Sequence, residues 1–188
     1  MISRIISGGQ TGADRGGLDA AIYCEIPHGG WCPKGRKAED GVIPPEYQLT
    51  ELSSKQYLAR TKANVMDSDA TVLFTHGPPT GGSLKTLACA HHLKRPYKEI
   101  DLKSTIHAKA VDMIVGWLEG EKELNDYEDY TARPPSTCVL NVAGSRESHA
   151  PGIQIAVWRI LVEVLIQVNP DCKKFYQFGE PSGTTLNP

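Results

Sequence analysis

Short apolar runs alternate with longer segments whose apolar residues recur at helical spacing. Ile2 to Ser7 is a β-branched run that stops at Gly8-Gly9, after which Leu18, Ala21 and Ile22 repeat with a helical period. That is strand, glycine turn, helix. A second short strand is expected near Cys24 to His28, followed by Gly29 to Leu52, a long loop rich in Gly, Pro and charge. Ser53 or Ser54 can cap a helix with Tyr57, Leu58, Thr61 and Val65 on one side, and Ala70 to Thr75 reads as a buried strand. His76 to Gly82 is then a Pro- and Gly-rich turn, and Ser83 opens a helix carrying Leu84, Leu87, Ala88 and His91 on one stripe. Tyr97 to Leu102 is a further strand. Ile106, Ala110, Met113, Ile114 and Trp117 give a periodic helix that Gly120 ends, and an acidic linker follows from Glu121 to Pro135. The last unit is a strand from Thr137 to Val142, a loop from Ala143 to Pro151, and a helix from Gly152 to Val168 closed by Asn169-Pro170.

Strands alternating with helices call for a mainly parallel sheet covered on both faces by right-handed crossovers, the Rossmann-like doubly wound α/β class. One domain is expected over residues 1–169, with a C-terminal tail over 170–188. The tail lacks periodicity, although Phe175, Tyr176 and Phe178 make it apolar enough to pack on the body or on a partner chain. Helix 152–168 is apolar round more than one face, which predicts a homo-oligomer, a dimer or tetramer.

Composition narrows the classes. Twenty Lys and Arg against 22 Asp and Glu give a formal charge of -2, without the basic excess of a duplex nucleic-acid binder. No basic groove interleaved with aromatics speaks for single strands either. Five widely spaced cysteines without a C-x-x-C pair fit a reducing, cytoplasmic setting, and no signal peptide is evident. The most apolar segment, Ile153 to Val168, is too short for a bilayer and carries Arg159 and Glu163. No membrane association is expected. His28, Cys32, His91 and His92 share no zinc-like spacing, so no metal site is expected.

In a doubly wound sheet the strand-to-helix loops gather at the carboxyl ends of the strands, where ligands bind. Three such loops carry glycine. The first runs Gly8, Gly9, Gln10, Thr11, Gly12, Ala13, Asp14, Arg15; missing side chains there let backbone N–H groups approach an anion at a helix N-terminus. It has neither the dinucleotide fingerprint nor the Gly-Lys-Ser/Thr of a P-loop. The second, Gly77, Pro78, Pro79, Thr80, Gly81, Gly82, Ser83, follows the same logic. The third offers Gly144, Arg146, Glu147 and Ser148, with a guanidinium suited to phosphate. Lys34 and Arg36 of the long loop are added as charges able to close over an anion. A turn that merely packs its helix, or a surface pair of Arg146 with Glu147, is the plainer alternative. Cys32, beside Trp31 and Lys34, is a candidate for a lowered pKa, and Asp14 or Asp19 for a contact to ribose or water.

These motifs carry a resemblance. Gly8 to Asp14 with Gly17-Leu18-Asp19, Gly30-Trp31-Cys32-Pro33 with Gly35-Arg36 and Ala38 to Gly41, Asp67 to Thr71, Thr80 to Ser83, and Asn141 to Gly144 with Arg146 to Ser148 are similar to the putative molybdenum carrier family. That Rossmann-like group is related to the lonely-guy phosphoribohydrolases, formerly called lysine decarboxylase-like proteins. The resemblance covers about Ile2 to Ile166. It implies oligomers and a pterin-type or nucleotide-like ligand, with molybdenum cofactor (molybdopterin) suggested by the family name. The phosphoribohydrolases carry a glutamate on the helix after the second glycine turn, whereas Leu84, Lys85, Thr86 and Leu87 stand here. The expected function is therefore a binding or carrier protein for a phosphate-bearing small molecule rather than an enzyme. The alternative is a nucleotide or nucleotide-sugar hydrolase using Asp14, Asp19 or Glu147 on water or ribose and Arg146 on phosphate.

Overall fold

The computed structural model describes residues 1–120, 133–170 and 172. Most of the acidic linker and the tail with Phe175, Tyr176 and Phe178 lie outside them. Five strands, β1 (Ile2–Ser7), β2 (His28–Gly29), β7 (Ala70–Thr75), β8 (Tyr97–Asp101) and β9 (Cys138–Gly144), form one sheet in the order β2-β1-β9-β7-β8. Every pairing in it is parallel. All six residues of β7 are buried, as a strand covered on both faces requires. From β1 the chain moves outward to β2, and from β7 it moves outward to β8 on the opposite side. β9 fills the middle, so the loops after β1, β9 and β7 stand side by side at the carboxyl edge.

α1 (Ala13–Tyr23) packs on α5 (Ile153–Val168), which packs on α4 (His107–Glu119), while α2 (Tyr57–Met66) packs on α3 (Gly81–His92). Two glycines of α1 allow its close approach. A Cβ on Gly16 would lie 2.5 Å from the Gln154 carbonyl, and one on Gly17 would lie 2.6 Å from Val142 Cβ. Part of the first glycine cluster therefore serves packing. Gly120 in the left-handed region ends α4; of the stripe its spacing predicts, Ala110, Ile114 and Trp117 are buried and Met113 is half-buried, whereas Ile106 is the exposed N-cap. The helix α3 differs from expectation. Ser83, Thr86 and Ala90 face inward, and Leu84 is 55% exposed, because the helix turns a small-residue stripe, one position off the leucine stripe, to the sheet; it also starts two residues earlier than Ser83.

The segment expected as a long loop is a small structured unit. β3 (Trp31–Cys32) pairs in parallel with β6 (Thr50–Glu51), and β4 (Lys37–Ala38) pairs antiparallel with β5 (Gly41–Val42). Leu18, Cys32, Ile43, Tyr47 and Leu49 give it a second core. Strands of two residues are too short to leave an alternating pattern, which is why periodicity did not show them. Among the described residues no helix is long and apolar enough to cross a membrane.

Candidate functional site

The loops at the carboxyl edge open onto a cleft of about 220 Å³. Seven of the expected residues line it: Gly8, Gln10 and Asp14 from the first loop and α1, Gly81 and Gly82 from the start of α3, and Gly144 and Arg146 after β9. The sequence reading missed the opposite wall. Tyr57, Leu58, Arg60, Thr61 and Asn64 of α2 also line the cleft, as do Lys85, Thr86 and Asn141. The signal lay in α2 itself, where Tyr57, Arg60, Thr61 and Asn64 share one helix side but mix polar with apolar groups. Such a face suits a wall better than a core.

The N-terminus of α3 opens on the cleft. Thr80 is its N-cap without a side-chain cap bond, so the first-turn amides have no acceptor from that side chain. Among the described residues a Cβ on Gly81 or Gly82 would meet nothing within 4 Å, which leaves space over this backbone. Upstream, the Gly77 N–H donates to Asp101 Oδ1 at 2.7 Å and anchors the turn to the end of β8. Hydrogen bonds from the Gly77 and Lys103 amides hold the Asp101 carboxyl below its ordinary pKa. By contrast, Glu147 caps α5 with its own carboxylate, accepting from the Gly152 and Gln154 N–H groups. At α1 the Ala13 N–H donates to Ser145 O and the Arg15 N–H to Gln10 O.

Charge around the cleft is mostly positive. The Arg146 guanidinium sits 5.5 Å from the Tyr57 ring centroid, the cation–π geometry that leaves its N–H edge for a further partner. Lys85 stands one helical turn from Gly81. Arg60 Nη1 pairs with Asp14 Oδ2 at 2.6 Å, and its guanidinium occupies the space that a side chain on Gly8 would need.

Other expected residues are directed elsewhere. Gly9 has φ +71°, and its missing Cβ makes room for Leu49 and Ile43 of the second core. Gly12 lets the first loop touch the backbone of Ser145 and Glu147, and Ala13 is packed in the main core. Thr11 bonds Glu39, whose other oxygen accepts from Ser148 Oγ at 2.6 Å. Burial would raise the Glu39 pKa, but the hydrogen bonds from Ser148 and Thr11 and the Arg146 charge bring it below the ordinary value. Arg15 is buried and forms a bidentate pair with Asp40 at 2.6 and 2.8 Å, which lowers the Asp40 pKa. Arg36 donates to four carbonyls of the small unit, Ile43, Pro44, Tyr47 and Leu49. Lys34, Pro78 and Thr80 lie outside the cleft lining, and Ser83 is buried on the inner face of α3. Arg146 and Glu147 do not pair; one goes to Tyr57 and the other to α5. Asp19 accepts from the Tyr47 hydroxyl and from Gln154 Nε2, away from the cleft.

Four cysteines, Cys24, Cys32, Cys138 and Cys172, are buried, and Cys89 is half-buried. Cys32 is buried and its pKa is raised by that burial, the reverse of the activation considered from its neighbours. Burial and the nearby Cys172 thiol push Cys24 up to about 12. Among the described residues no three His, Cys, Asp or Glu side chains form a group that could hold a metal ion.

The arrangement of motifs has known counterparts. Residues 5–165 match the model of the circularly permutated YpsA SLOG family. The chain belongs to that family. It is also similar, at 42% identity over 88% of this chain and 95% of the other, to the crystal structure of a putative molybdenum carrier protein from Syntrophus aciditrophicus SB, with a TM-score of 0.73. No curated protein matches the chain. Family membership agrees with the resemblance drawn from the motifs and with the parallel Rossmann-like sheet.

Proposed function

We propose that this SLOG protein binds and carries, without cleaving, a small phosphate-bearing molecule in the cleft, of the molybdenum cofactor or nucleotide class. The observation that carries the reading is the exposed backbone of Gly81 and Gly82 at the uncapped start of α3, facing a cleft that Arg60, Lys85 and Arg146 also line. A helix N-terminus with open glycines and nearby cations is suited to a phosphate dianion, through N–H donors and the helix dipole. The solved relative described as a molybdenum carrier supports a cargo of that kind.

Binding without turnover is supported by what faces the cleft from α3. Lys85 and Thr86 stand there, and the Thr86 hydroxyl donates to Gly82 O at 3.1 Å. Asp14, a carboxylate in the lining, is engaged by Arg60 and by the Gln10 N–H. Both bonds end on Oδ2, and the ion pair with Arg60 makes this carboxylate an anchor of the cleft wall.

The test is Gly82→Val. No described residue lies within 4 Å of a Cβ there, so the variant should fold, while its methyls fill the space over the amides. Calorimetric titration with nucleoside monophosphates should show binding to the native chain and a loss of roughly 100-fold or more in the variant. Equal affinity in both would remove α3 from the site.

A further inference from the structure

The inner end of the cleft holds hydrogen-bonding groups that the protein leaves unused. Gln10 is 5% exposed, and its amide oxygen is fixed by two backbone donors, Thr11 N–H at 3.0 Å and Glu39 N–H at 2.9 Å. Those bonds set which end of the amide is oxygen. Its Nε2 is then a buried donor with no partner among the described residues, and so is Nε of Arg60, which lines the same cleft. Buried N–H groups are almost always paired, so two orphans in one cleft mark the place of an acceptor supplied from outside. Asp14 ties the two residues together, because its bonds from Gln10 N–H at 3.2 Å and Arg60 Nη1 at 2.6 Å both end on Oδ2. Its other oxygen remains for a donor. Glycine at position 8 is required for this grouping, since a Cβ there would overlap the Arg60 guanidinium at 1.3 Å.

We infer that Gln10, Asp14 and Arg60 read the amino-oxo edge of a heterocycle, the edge that pterins and guanine share, on the far part of a ligand whose phosphate sits at α3. This rests on the phosphate reading above. The edge presents a carbonyl oxygen beside a ring N–H and an exocyclic amino group. The carbonyl takes Gln10 Nε2 and Arg60 Nε as donors, and the ring N–H and amino group donate to the Asp14 carboxylate. Adenine presents the reverse order, an amino donor beside a bare ring nitrogen, which would set N–H against N–H and lone pair against carboxylate. A site built of buried polar groups rejects a ligand that cannot pair them. The small unit of residues 29–52 thereby gains a role, because Glu39 N–H holds the Gln10 amide in its reading orientation.

The experiment is calorimetric titration of the full chain with guanosine, inosine and adenosine monophosphates and with ribose phosphate. Guanosine monophosphate should bind roughly 10- to 100-fold more tightly than adenosine monophosphate, with inosine monophosphate, which lacks the amino group, between them. Asp14→Asn should erase that preference while ribose phosphate still binds. Gln10→Glu keeps an oxygen for Thr11 and Glu39 but loses the donor, and should erase it too, which covers the case of an Asp14 variant that fails to fold. Adenosine monophosphate binding as tightly as guanosine monophosphate, with ribose phosphate still bound, overturns this inference alone. Failure of every phosphate ligand to bind overturns the phosphate reading and this inference with it.

Discussion

Arg36→Ala should destabilise the small unit of residues 29–52 and affect ligand binding only through that loss. The guanidinium donates to Ile43 O at 3.0 Å, Leu49 O at 3.1 Å, and through Nη2 to Pro44 O at 2.8 Å and Tyr47 O at 2.9 Å. Alanine leaves all four carbonyls to water or to nothing. At about 1 kcal/mol net for each bond, discounted because the side chain is only partly buried, the loss is about 2–4 kcal/mol. A loss of about 3 kcal/mol corresponds to a fall in Tm of roughly 6–12 °C for a chain of this size. Because the second core is separate from the main one, the first effect should be local. Hydrogen exchange should quicken at the Ile43, Thr50 and Leu52 amides, which bond within this unit, before β7 or β9 is affected. A variant with native stability and native exchange that nevertheless loses its ligand would refute the reasoning and place Arg36 in the site.

Three further outcomes follow from the geometry. Asn169 is buried and bonds both the N–H and the carbonyl of Ile2, at 3.0 and 2.7 Å, so Asn169→Ala should cost about 2–3 kcal/mol in urea unfolding; an unchanged midpoint would contradict it. Glu39 has a folded-state pKa below the ordinary 4.5, so it adds stability above that pH that is lost as pH falls through the lower folded value; Glu39→Gln should flatten this acid limb in thermal melts, and an unchanged limb would contradict it. Ile155 is 50% exposed beside Trp158, which stacks edge-on against Tyr23, so this α1–α5 face should pair two copies of the chain; sedimentation should show a dimer that Ile155→Arg converts to monomer, and a monomeric native chain would contradict it.

The parallel sheet was legible because β1, β7 and β9 are short runs rich in β-branched and apolar residues, each followed by a glycine-bearing turn and a helix. The same glycines were not legible one by one. Gly9, Gly12, Gly16 and Gly17 serve a second core, a loop contact and helix packing, and sequence does not separate these from Gly81 and Gly82, where space stands open. A cation in a Gly-rich stretch was equally ambiguous. Arg146 reaches the cleft, whereas Arg15 and Arg36 are spent on Asp40 and on backbone carbonyls, distinctions that depend on contacts across 7 to 25 residues. Arg60 escaped notice because its helix face reads as a poor core stripe, and only the tertiary placement of α2 beside α3 makes it a wall.

The central claim is that the exposed glycine backbone at the start of α3 holds the phosphate of the ligand. The most direct measurement is the shift of assigned backbone amide resonances as a nucleoside monophosphate is added to the full chain. The largest shifts are predicted at Gly81 and Gly82, with smaller ones at Gly8 and Gly144 and none at Gly152, whose N–H is held by Glu147. Shifts centred on Gly152, or on the α1–α5 face around Ile155, with Gly81 and Gly82 unmoved, would contradict it.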